Sequence, residues 1–174
     1  MSAVGRNMLR SGLLLGLFAV IASAMVAYTF QATEEQIAAN ERAAILKNLH
    51  QIIPRSAHDN DLVEDTIQVR NKDRLGTDRP QTVYRARRHG EPVAAILTTT
   101  APDGYGGAIK LLVGIRYDGT LAGVRVINHR ETPGLGDAIE AQRSDWITDF
   151  AGKSLDQPAK KNWKVKKDGG VFDQ

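Results

Sequence analysis

The chain has 174 residues, 42% of them hydrophobic and 25% charged, which excludes a disordered chain and leaves material for one domain with a real core. Lys and Arg number 23 against 20 for Asp and Glu, a formal charge of +3, too near neutral for a module that neutralises many nucleic-acid phosphates. Cysteine is absent, which excludes disulfides, cysteine-ligated zinc, iron–sulfur clusters held by this chain and thiol catalysis.

Residues 11–33 carry no charge and are dense in Leu, Ile, Val, Ala and Phe. They exceed the roughly 20 residues that a helix needs to cross a bilayer core. Arg6 and Arg10 precede this stretch, and Glu34, Glu35 and Glu41 follow it. The positive-inside rule therefore places residues 1–10 in the cytoplasm and the bulk of the chain outside it. Ala22-Ser23-Ala24 has the small-x-small form of a signal-peptidase site, which is the competing reading. The apolar run continues past it through Met25, Val26, Ala27, Tyr28 and Phe30, beyond the roughly 7–15 residues of a signal h-region. An uncleaved anchor is the expectation.

Thr33-Glu34-Glu35-Gln36 has the spacing of a capping box and predicts a new helix start. Ile37, Ala38, Ala44, Ile45, Leu49 and Ile52 then recur at helical spacing until Pro54, so residues 34–54 read as an amphipathic helix. From Leu62 the period shortens, and residues 66–70, 82–88, 92–100, 108–116 and 121–128 read as strands. Arg88-His89-Gly90-Glu91 and Tyr117-Asp118-Gly119-Thr120 are the hairpin turns expected between them. Helical turns are expected after Gly136 and over residues 144–150, and a last strand over 163–167. The order predicts an α+β domain on a mostly antiparallel sheet over residues 55–174.

Glycine is concentrated in two loops, Asp103-Gly104-Tyr105-Gly106-Gly107 and Glu131-Thr132-Pro133-Gly134-Leu135-Gly136. Glycine lets a backbone approach a ligand closely or take a positive φ, and tight turns alone would also account for both loops. Gly134-Leu135-Gly136-Asp137-Ala138-Ile139 begins like a dinucleotide fingerprint but lacks its last glycine and the strand–helix units around it. The histidines at 50, 58, 89 and 129 have no metal-ligand spacing, and His129 reads as a hydrogen-bonding loop residue. Asp59, Asp61, Glu64 and Asp65 lack the calcium-loop pattern and read as a solvated acidic surface. No Gly-x-Ser-x-Gly elbow supports hydrolysis. Lys160, Lys161, Lys164, Lys166 and Lys167 crowd a C-terminal segment, as a solvated face or as phosphate neighbours.

Four separated blocks coincide in order with one family. Ala101-Pro102-Asp103-Gly104-Tyr105 with residues 108–114, then 131–137, Ser144-Asp145-Trp146-Ile147 and 166–174, resemble the G subunit of the Rnf electron-transport complex. The bacterial SoxR-reducing system has the same subunit. The anchor and the Glu-Thr-Pro-Gly-Leu-Gly loop are more distantly similar to the C subunit of the sodium-pumping NADH:quinone reductase. The resemblance implies one FMN joined by a phosphoester to a threonine, in a Ser/Thr-Gly-Ala-Thr motif after a Gly-Gly-x-Phe-Asp lead-in. Gly169-Gly170-Val171-Phe172-Asp173-Gln174 matches the lead-in. The threonine is expected just after Gln174, outside these residues.

By the same resemblance, Glu131, Thr132, Leu135 and Gly136 are expected to contact the flavin. Tyr105 and Gly106 are expected to wall it from the other side, and Lys167, Gly170 and Asp173 to lie near its phosphate. Trp146 is placed equally well beside the flavin or in the core. The implied role is electron relay in the bacterial inner membrane, with the other Rnf subunits as partners and electrons moving between ferredoxin-like donors and NAD. A cofactor-free exported binding or assembly module is the rival reading.

Overall fold

The computed structural model describes residues 3–172. Helix α1, Ala3–Ile52, is continuous across the expected start at Thr33. The reason is local: no proline or glycine lies between Gly16 and Pro54. The Thr33 hydroxyl, moreover, donates back to the Thr29 carbonyl at 2.8 Å instead of capping a new helix. Thr29 does the same to Met25 at 2.8 Å, which satisfies both hydroxyls within an apolar stretch. The helix stops at Ile52 because Pro54 disfavours helical dihedrals at the residue before it.

Contacts divide the chain between Ala43 and Ala44 into two compact units. The first is the exposed N-terminal part of α1. Helix α1 is the one helix among the described residues that is long and apolar enough to cross a membrane, with a mean hydropathy of 2.2 over an 18-residue window.

The second unit is built on five antiparallel strands in the order β1-β2-β3-β4-β5: Thr66–Val69, Gln81–Arg88, Glu91–Ala101, Ile109–Arg116 and Leu121–Asn128. The α+β expectation holds, and each expected strand is present with no end shifted by more than one residue. Between β2 and β3, His89 and Gly90 take φ of 52° and 83°. Two positive φ values are what a two-residue turn needs to match the twist of its strands. The one-turn helix α2, Lys72–Leu75, was not foreseen; Asn71 caps its start and left-handed Gly76 its end.

One sheet face receives the last turns of α1. Leu49, Ile52 and Ile53 cluster there with Leu62, Ala86, Ala94, Ile96, Leu112 and Ala122. Small residues make the room: a Cβ at Gly114 would collide with Cγ2 of Ile52. Arg125 on β5 reaches the same helix end, donating from Nη2 to the Gln51 carbonyl at 3.3 Å. The opposite face is covered in part by a 3-10 segment, Asp145–Phe150, started by Ser144, whose hydroxyl accepts from the Trp146 amide at 3.2 Å.

The C-terminal stretch corrects the expected strand at 163–167. It forms 3-10 turns, Lys160–Asn162 and Lys166–Asp168, and one isolated bridge between Val165 and Phe172. Gly169 at φ 79° reverses the chain before a ladder can extend. The helix expected after Gly136 is likewise one 3-10 turn, Asp137–Ile139.

Candidate flavin site

Antiparallel pairing puts the two glycine loops at the same end of the sheet. Ala101 on β3 pairs with Ile109 on β4, and Lys110 on β4 with Asn128 on β5. The β3–β4 connection and the segment leaving β5 therefore lie side by side.

Glu131 joins them. Its Oε1 accepts from the Gly106 amide at 3.0 Å. The glycines permit the approach: a Cβ at Gly104 would stand 2.8 Å from Glu131 Oε1, one at Gly136 2.8 Å from Glu131 Cβ, and one at Gly106 would collide with the Arg130 carbonyl oxygen. The loop itself is a tight turn, in which the amides of Leu135 and Gly136 both donate to the Thr132 carbonyl, at 3.1 and 2.9 Å. Gly134 takes φ 79° and donates to Asp137 Oδ1 at 2.9 Å. Asp137 is held in turn by Arg143 at 3.3 Å.

Both loops are legible in the sequence from their glycines, but what braces them is not. The braces come from residues 129, 137, 140 and 143. His129 accepts from the Glu131 amide at 3.1 Å through Nδ1, and its Nε2 lies 2.7 Å from Glu140 Oε1. The reading of His129 as a hydrogen-bonding residue holds. The only hint of its particular partners was its position two residues before Glu131.

Folding leaves two apolar side chains of this platform uncovered: Tyr105 is 97% exposed and Leu135 83%. Thr132 is also exposed. Tyr105 and Leu135 are thus large side chains that the packing of this domain leaves unused, on loops closed by hydrogen bonds.

The C-terminal candidates lie on a separate segment. Lys167 is exposed in the Lys166–Asp168 turn. Gly170 donates to the Val165 carbonyl at 3.0 Å, and a Cβ there would collide with the Lys164 carbonyl. Asp173 lies outside the described residues. Phe172 anchors the segment, 5% exposed and stacked on Phe150 at 4.5 Å between ring centroids. No hydrogen bond or ion pair among the described residues joins Lys167 or Gly170 to the Glu131 loop.

Trp146 belongs to the same aromatic cluster, edge-on to Phe150 at 5.3 Å. Its Nε1 is buried and has no partner among the described residues. Trp146, Ile147, Phe150 and Trp163 line an apolar cavity of about 340 Å³ against Leu111, Val113 and Val126.

Residues 104–174, which include both loops and the C-terminal segment, match the family model described as FMN-binding domain, and residues 1–52 match the RnfG N-terminal region. The G subunit of the ion-translocating oxidoreductase complex of Pseudoalteromonas atlantica is 48% identical over 95% of this chain and 77% of its own length. The corresponding G subunit of Pseudomonas aeruginosa is 49% identical over 99% of this chain and 81% of its own, and that of Vibrio cholerae 47% over 95% and 78%. The chain belongs to the family of G subunits of ion-translocating oxidoreductase complexes. Within that family, the FMN-binding match starts at Gly104, on the loop that Glu131 holds. The resemblance read from four sequence blocks is thereby borne out.

Proposed function

We propose that the chain is the FMN-carrying electron-relay subunit of a membrane-bound ion-translocating oxidoreductase complex. Residues 11–33 anchor it, residues 1–10 lie in the cytoplasm, and the sheet domain faces the bacterial periplasm. Its partners are the other subunits of the complex. The observation that carries the reading is the Glu131–Gly106 closure, which lies inside the FMN-binding match and leaves Tyr105 and Leu135 bare beside it.

Bound FMN supplies the redox chemistry. The chain's residues bind and orient it. Tyr105 and Leu135 are the apolar walls, Gly106 and Gly136 let the backbone approach the ligand closely, and the exposed Thr132 supplies a polar contact. Glu131 closes the two loops through Oε1, which accepts from Gly106, and is among the residues that contact the flavin. Lys167, Gly170 and Asp173 form the phosphate-side segment, and the aromatic packing of Phe172 fixes its course. The flavin is held by a phosphoester to threonine, which prevents its loss outside the cytoplasm.

Full-length protein from a flavinylating strain, denatured and viewed on a gel under ultraviolet light, is expected to give a fluorescent band. A dark band together with a colourless native preparation overturns the reading in favour of a cofactor-free module. A coloured native preparation with a dark denatured band retains FMN and removes only the covalent link.

A further inference from the structure

The contacts around His129 assign more than a loop hydrogen bond. An imidazole in the neutral state has one donor and one acceptor nitrogen, and its partners decide which is which. Here the Glu131 amide points at Nδ1, so Nδ1 must be the acceptor. The proton then sits on Nε2, where Glu140 Oε1 receives it at 2.7 Å. A proton on Nδ1 would set two donors against each other. The His129 side chain is 13% exposed, so the ring is largely shielded from water, while Glu140 at 36% stands nearer the surface.

The consequence runs through Glu131. Its amide is held by His129, and its carboxylate holds the Gly106 amide. Glu140 thus orients His129, His129 fixes the backbone at Glu131, and Glu131 sets the spacing between the two loops. At the far end of the turn, the Arg143–Asp137–Gly134 chain makes a second brace. The loop is held at both ends, with its exposed residues Thr132 and Leu135 between.

We propose that His129, as the neutral Nε2-protonated imidazole, is a positioning residue that sets the Glu131 loop against Gly106 and thereby tunes the environment of the flavin. The inference rests on the placement of FMN at these two loops. His129 need not touch the flavin; it acts through the Glu131 backbone.

The test uses the full-length flavinylated protein and two variants. His129→Leu removes both ring partners. His129→Asn keeps an acceptor oxygen close to the position of Nδ1. In the wild type, ring-nitrogen NMR shifts should report the Nε2–H tautomer. In His129→Leu, amide exchange at Glu131 and Gly106 should quicken roughly tenfold, as expected for the loss of one net hydrogen bond. The visible flavin band and midpoint potential should shift as well. His129→Asn should restore exchange at Glu131 and return the flavin signals towards those of the wild type.

An Nδ1–H tautomer in the wild type overturns the inference, and this readout needs no variant to fold. A His129→Leu protein with native melting and unchanged exchange at Glu131 and Gly106 also overturns it. Leu135→Ala separates the two levels. If Leu135→Ala moves the flavin band and His129→Leu does not, the flavin placement stands and the role of His129 falls. If neither moves it while exchange at Glu131 quickens, the flavin lies elsewhere, and the inference falls with the placement.

Discussion

Single residues here act through partners distant in sequence, and Asp65 shows the size of the effect. Burial alone would raise its carboxyl, but hydrogen bonds and charge from Arg85 and Arg87 outweigh that and draw it below the ordinary range. The lowered folded value makes the unfolded chain the better proton acceptor as pH falls. The stabilisation is therefore full above the unfolded pKa of about 3.9 and is lost as pH drops through the folded value. Asp65→Asn should cost about 1–3 kcal/mol at neutral pH and flatten the acid limb of a stability–pH curve. Chemical unfolding across pH 2–7 checks both. The acidic run 59–65 reads in sequence as solvated surface, and for Asp65 that is corrected. Its guanidinium partners lie 20 and 22 residues away on β2, where no local spacing reveals them. Asp59 is similarly engaged, accepting from the His89 amide at 2.8 Å. The tie of Glu131 to Gly106 spans 25 residues and was hidden for the same reason, although both loops were legible from their glycines.

Elements were legible wherever one periodicity met a definite stop. The alternation of β2 to β5 marks the strands, and at the Asp118-Gly119 turn Gly119 takes φ 84°, whereas the register shifts at Ala86/Arg87, Lys110/Leu111 and Gly114/Ile115 leave no trace in the alternation. Thr33 misled because a capping box describes the first turn of a helix and says nothing about whether another helix already runs through it. The 163–167 segment misled because its course is set by Phe172 packing on Phe150 and Trp163 and by the turn at Gly169. The seat of the last turns of α1 on the sheet gives a prediction at this scale. Gly114→Val places two methyl groups where Ile52 now lies. It should destabilise the sheet domain by about 1–3 kcal/mol, as overpacking does. Pairing it with Ile52→Ala should recover part of that loss. Urea unfolding of the single and double variants gives the coupling.

For the molecule as a whole, the absence of cysteine makes membrane orientation directly measurable. Leu155→Cys, at a position 87% exposed on the sheet domain, should react with a membrane-impermeant maleimide in intact cells. Val4→Cys, 67% exposed on the N-terminal side of the apolar stretch, should react only after lysis. The reverse pattern would invert the proposed topology. The aromatic cluster beneath Asp145–Phe150 carries one more consequence. The two tryptophans of the chain, Trp146 and Trp163, both pack on Phe150, at 5.3 and 6.4 Å between ring centroids. All indole emission from these residues thus originates in one place, next to the segment that leads to Phe172. Energy transfer into a yellow chromophore would dim both emitters together, so the ratio of ultraviolet to green light is a built-in gauge of loading, readable in a cuvette without any label.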